Sequence, residues 1–104
     1  MLVTNKKYSE GDVITFKLIN GDEIVAKLKE QTDAEFVLNK PCTVLPSAKG
    51  IGLVQSLFTA GDSVDVRIRG DHVIMHAPVV KEVQNHYIQV TTGIQPVTSG
   101  SIVV

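Results

Sequence analysis

The chain has no Trp, two Tyr and three Phe, and a single Cys among its 104 residues. One cysteine excludes an internal disulfide framework and a cysteine-based zinc site, and it fits a reducing compartment. No apolar run exceeds a few residues, far short of the roughly 20 that span a bilayer. The first residues, Met1 to Lys7, carry no apolar signal core, so a cytoplasmic location is expected and secretion is not. Charge of one sign is also lacking. Ten Lys and Arg face eleven Asp and Glu, and the pI is about 6.3, so any attraction to nucleic acid must be local. With 43% hydrophobic and 20% charged residues, the chain is not globally disordered.

What is abundant is β-branching. Val, Ile and Thr favour pleated, half-buried surfaces, and period-2 patterns follow. Asp12 to Ile19 places Ile14, Phe16 and Leu18 on one face, and Glu23 to Lys29 does so with Ile24, Ala26 and Leu28. Asn20-Gly21-Asp22 between them signals a hairpin. Reading those three residues as the loop pairs Leu18 with Ile24, Phe16 with Ala26 and Ile14 with Leu28, all apolar on one face. A third strand is expected over Glu35 to Asn39, with Pro41 breaking the ladder before an extended Cys42 to Leu45. Pro46 to Asp62, punctuated by glycines, reads as a long loop whose apolar Leu53, Val54, Leu57 and Phe58 cover the core or a neighbour. Ser63 to Arg69 alternates again, Gly70-Asp71 turns the chain, and His72 to Ala77 forms a fifth strand.

The spacing then becomes helical. Pro78 suits a first helical turn, and Val79, Val83 and Tyr87 share a face of a helix expected to reach Thr92. Gly93 is placed to end it, and Ile94 to Val104 reads as a loosely held tail. The expected organisation is one compact unit, with a β domain over 1–77 and a helix and tail over 78–104.

Signals for catalysis are poor. There is no phosphate-cradling glycine loop, and Cys42 has no recognisable His partner. His72 and His76, four apart on one strand, would stand about 13 Å from each other, too far to share a metal. His86 reads as a surface histidine. No enzyme activity, cofactor or metal is therefore expected.

The most specific string is Val66-Arg67-Ile68-Arg69-Gly70-Asp71-His72-Val73-Ile74. It resembles the second motif of the Sm/Lsm-like family, where an Arg-Gly turn joins the fourth and fifth strands. The segment from Val13 to Leu38 is similar to the first motif, through its alternating strand, the Asn20-Gly21 hairpin, Ala26, Leu28 and Asp33. Three departures stand out. Ala26 occupies the family's Gly position, the Leu28-to-Asp33 spacing is one residue longer, and Phe36 and Val37 stand where the family has a base-reading Asn. Such departures fit a divergent member, for example one encoded by a phage.

The resemblance implies a small, strongly bent five-stranded barrel of the Sm-like (SH3-like) kind. It implies a homo-oligomeric ring of about five to seven copies joined through edge strands. Single-stranded RNA would bind at the pore, with Arg69 stacking on and hydrogen-bonding a base, Phe36 supplying a π-face and Gly70 allowing close approach. Asp33 and Asp71 would orient neighbouring groups. Plainer readings stand beside these. Arg69 pairs with Asp71, Gly70 only makes the turn, and Phe36 belongs to the core. Two functions follow: an RNA-binding scaffold or chaperone ring, or a ring that serves as a structural or protein-interaction module without RNA.

Overall fold

The computed structural model describes residues 8–61 and 63–92. The expected tail from Ile94 onward, the Gly93 stop and Asp62 lie outside them. The fold is mainly β with a C-terminal helix. Among the described residues six strands, β1 (Val13–Leu18), β2 (Glu23–Gln31), β3 (Glu35–Ser47), β4 (Gly50–Gln55), β5 (Asp65–Arg69) and β6 (Val73–Pro78), precede α1 (Lys81–Thr92). All pair antiparallel, in the order β4-β3-β2-β1-β6, with β5 also on β3.

The expectation of five strands is thus corrected to six. The extra strand, β4, comes from the segment read as a loop. Gly50 and Gly52 suggested a break, yet Leu45↔Gly52 and Val44↔Leu53 continue the ladder, and Leu53 is fully buried. Leu57 and Phe58 stay exposed, so only part of that segment covers the core. β4 and β5 lie end to end along one side of β3, against Cys42–Ser47 and Glu35–Asn39 respectively.

The first hairpin keeps its expected face but not its expected register. The observed pairs are Phe16↔Ile24 and Ile14↔Ala26, two residues from the expected ones. The loop is Ile19-Asn20-Gly21, closed by Leu18 N–H to Asp22 O at 2.9 Å and Gly21 N–H to Leu18 O at 2.9 Å. Gly21, at φ +95°, takes the left-handed position that ends a three-residue loop, and Asn20 Oδ1 accepts the Asp22 N–H. A shift of two preserves the apolar face, which is why alternation alone did not distinguish the registers.

β3 does not stop at Pro41. It passes through a bulge, where Val25↔Cys42 gives way to Lys27↔Asn39 and β3 carries one extra residue. Lys40 there has φ +53°. The extra residue reverses the faces of β3, so Phe36 and Leu38 point into one cluster and Cys42 into another. The first cluster joins Ile14, Phe16, Ala26, Leu28, Phe36 and Leu38. The second joins Val13, Val25, Cys42 and Leu53 to Tyr87.

Helix α1 covers the second cluster through Val83 and Tyr87, as the spacing predicts, whereas Val79 packs on the same cluster from just ahead of the helix. It begins at Lys81, not Pro78; Pro78 ends β6 opposite Ile14, where an edge strand tolerates its missing N–H. His86 is buried, contrary to the surface reading, because it neighbours Tyr87 on the inward face. Among the described residues no separate layer covers the first cluster. The sheet curls over it instead, and β6 and β3, three places apart in the sheet, bring His76 and Phe36 to a ring distance of 5.3 Å. The sheet nevertheless remains open, since β5 and β6 form no ladder with each other.

The Tyr87 hydroxyl fills the bulge. It accepts the Lys27 N–H at 3.1 Å and points its proton between Asn39 O, at 2.9 Å, and Lys40 O, at 2.8 Å. Lys40 Nζ in turn donates to Thr91 O at 2.9 Å, at the end of α1. Burial, followed by the nearby Cys42, pushes the Tyr87 hydroxyl well above the usual phenol range. Tyr87→Phe should leave the Lys27 N–H without its buried partner and cost about 1–3 kcal/mol, read as a lower urea midpoint at unchanged slope.

Burial also pushes the Cys42 thiol from 9.0 up to about 11. The unfolded chain then releases this proton at lower pH than the folded one. Stability from the buried thiol should be complete below about pH 9 and fall as pH rises toward 11. Cys42→Ala should flatten that part of a pH–stability profile.

Candidate nucleic-acid interface

The Arg69-Gly70-Asp71 turn is a single 3-10 turn, Gly70–His72, between β5 and β6, so His72 precedes the strand in which it was expected. The turn is held down by Gly70 N–H to Ala34 O at 2.8 Å. A Cβ on Gly70 would come within 3.3 Å of that same carbonyl oxygen, so the glycine serves close approach between this turn and the 32–34 loop. That loop is shaped by Thr32, whose Oγ1 accepts the N–H groups of Ala34 and Glu35.

Arg69 and Asp71 are both exposed and face each other. Arg69 Nε donates to Asp71 Oδ1 at 3.0 Å and Nη2 to Oδ2 at 2.9 Å, a two-point pair. The pair holds the Asp71 carboxyl below its ordinary range and raises the guanidinium further, in each case chiefly through the side-chain hydrogen bond. The plainer expectation for Arg69, pairing with Asp71, is what the side chains do.

A cleft of about 480 Å³ opens beside this turn. Asp33, Phe36, Gly70, Met75, His76 and Gln31 contribute to its walls. Three of the five expected site residues therefore meet in one cleft: Asp33, Phe36 and Gly70. Arg69 and Asp71 flank Gly70 without lining it. Phe36 is only 5% exposed and packs edge-on against Phe16, with ring centres 5.0 Å apart, so it forms a floor. Asp33 is exposed and makes no side-chain hydrogen bond among the described residues.

Sequence reasoning missed His76 and Tyr8. Tyr8 Oη and His76 Nδ1 lie 2.7 Å apart, with the rings edge to face at 5.5 Å. The available signal was positional: β6 pairs with β1, and Phe16↔His76 sets the imidazole over the apolar face. Without that pairing in hand, His76 was one more strand residue.

A second cleft, of about 310 Å³, lies between the β3 bulge and the last turn of α1, with Lys40, Cys42, Gln55, Val66 and Thr91 in its walls. Its chemistry is quiet. Lys40 is engaged with Thr91 O, and Cys42 stays a protonated thiol near neutral pH. Among the described residues no helix is long and apolar enough to cross a membrane.

No protein-family model and no curated protein matches this chain.

Gly70→Val should separate the turn from the 32–34 loop and distort the cleft. We expect a loss of about 1–3 kcal/mol in chemical denaturation, with Gly70→Ala at the low end.

Proposed function

We propose that this chain is an Sm-like protein that assembles into a homo-oligomeric ring and binds single-stranded RNA as a scaffold or chaperone. The observation that carries the reading is the Arg69-Gly70-Asp71 turn, pinned beside a cleft that Asp33 and Phe36 help to build. The curled antiparallel path β6-β1-β2-β3-β5 supports the barrel-like part of it.

Assembly is supported by the edges. Among the described residues β5 pairs only with β3 and β6 only with β1, so within them each offers an unpaired backbone row at opposite ends of one curled path. Ile74 and Met75 on β6 are exposed as well. Head-to-tail joining of such edges closes a ring when the rotation allows, here with about five to seven copies. Every copy would bring its Arg69 to the same radius, gathering positive charge that a neutral protomer lacks.

One observation favours the second reading, a ring that serves as a structural or interaction module. Asp71 already holds Arg69 at two points, so phosphate or base must compete with it.

Light scattering at micromolar concentration should give one species several times 11.3 kDa; a monomer would end the ring reading. Labelled oligouridine and oligoadenine should bind with a salt dependence that reports phosphate contacts. Arg69→Ala should weaken both affinity and salt dependence, whereas Arg69→Lys should keep much of the latter while losing affinity. Absence of binding to either oligomer by an intact ring would establish the module reading. Dissociation of the Arg69→Ala ring would make Arg69 an interface residue.

A further inference from the structure

The cleft beside the Arg-Gly turn needs an aromatic group if a base is to stack there, and Phe36 offers little. Its ring is 5% exposed, with Phe16 at 5.0 Å and His76 at 5.3 Å, both edge to face. The exposed ring in the cleft wall is that of His76. It rests on the aromatic floor and is fixed in place from the far side by Tyr8, at 2.7 Å from Nδ1.

The chemistry of this contact sets which nitrogen carries the proton. A phenol is the better donor and an imidazole nitrogen the better acceptor, so Tyr8 Oη–H donates to Nδ1. Burial raises Tyr8 above the ordinary phenol range, which keeps that proton on the oxygen. Neutral His76 then carries its own proton on Nε2. Nε2 has no hydrogen-bond partner among the described residues.

We infer that His76, positioned by Tyr8, is the base-reading residue of this cleft, offering its ring for stacking and its Nε2–H to a carbonyl oxygen of a pyrimidine base. The inference rests on the single-stranded RNA reading above and moves the aromatic role from Phe36 to His76. It also supplies a donor in a chain that has Phe36 and Val37 where the family resemblance implies an amide side chain. Uracil fits such a donor because its O2 and O4 are both acceptors.

The test compares oligouridine with an abasic ribose-phosphate oligomer of equal length. The intact protein should bind oligouridine about tenfold more tightly than the abasic chain, in the range of one stacked base. His76→Phe keeps an aromatic ring over Phe16 and Phe36 but has no donor. It should lose at least about threefold of that preference while its affinity for the abasic chain stays unchanged. Tyr8→Phe should lose part of the preference by releasing the imidazole. Nitrogen-15 spectra of the unbound wild-type protein should show His76 protonated at Nε2, and oligouridine, not the abasic chain, should shift that resonance; these spectra decide the matter if a variant fails to fold. An unchanged preference in His76→Phe, or a wild-type His76 protonated at Nδ1, would overturn the inference and leave the RNA reading standing. Failure of the intact protein to bind either oligomer would overturn both.

Discussion

The fold depends on a short connection. β5 and β6 stand at the two ends of the path β6-β1-β2-β3-β5, and only Gly70–His72 lies between them in sequence. Laid flat, four strand spacings would separate them by about 19 Å. Four Cα steps reach about 14 Å when fully extended, and less when wound as a 3-10 turn. The sheet therefore has to curl. Curling is what buries Ile14, Phe16, Ala26, Leu28 and Leu38 on a face that no other layer of the described residues covers. It also sets the Arg-Gly turn, the 32–34 loop and His76 around one cleft.

Curling alone would bury one face only. The β3 bulge turns Cys42 to the other face, where α1 closes a second core with Leu53 and Val25. The bulge takes two carbonyls and an amide out of regular pairing, and a single tyrosine hydroxyl serves all three. The left-handed Lys40 is held by the same arrangement, since its carbonyl meets Tyr87 and its ammonium meets the end of the helix. Backbone irregularity and helix docking are thus one feature.

Much of this was legible in the residues, and the reasons differ by element. Alternation marked the inward faces of β1 and β2, because burial on one side imposes period 2. Helical spacing marked Val83 and Tyr87 for the same reason at period 3.6; Val79 joins their cluster from outside the helix. The hairpin register was not legible, since two residues of slip leave alternation intact and only the left-handed Gly21 decides. β4 was hidden by its glycines, and the continuity of β3 beyond Asn39 by Pro41, because local preference yields where neighbouring strands supply partners. In the candidate site, the Arg69-Gly70-Asp71 string announced itself by its sharp turn chemistry. Asp33 and Phe36 followed from it only through resemblance. His76 and Tyr8 were out of reach, since 68 positions separate them and only the curl brings them together.

The Tyr87 hydroxyl has a kinetic consequence as well as an energetic one. The Lys27 amide sits in β2, between two paired strands, yet its partner belongs to the helix. Its proton can meet solvent only when α1 lifts away from the sheet. A single backbone amide in the middle of the chain thereby acts as a clock for motions of the C-terminal helix. Its exchange with deuterium would time that opening separately from the opening of the strands around it.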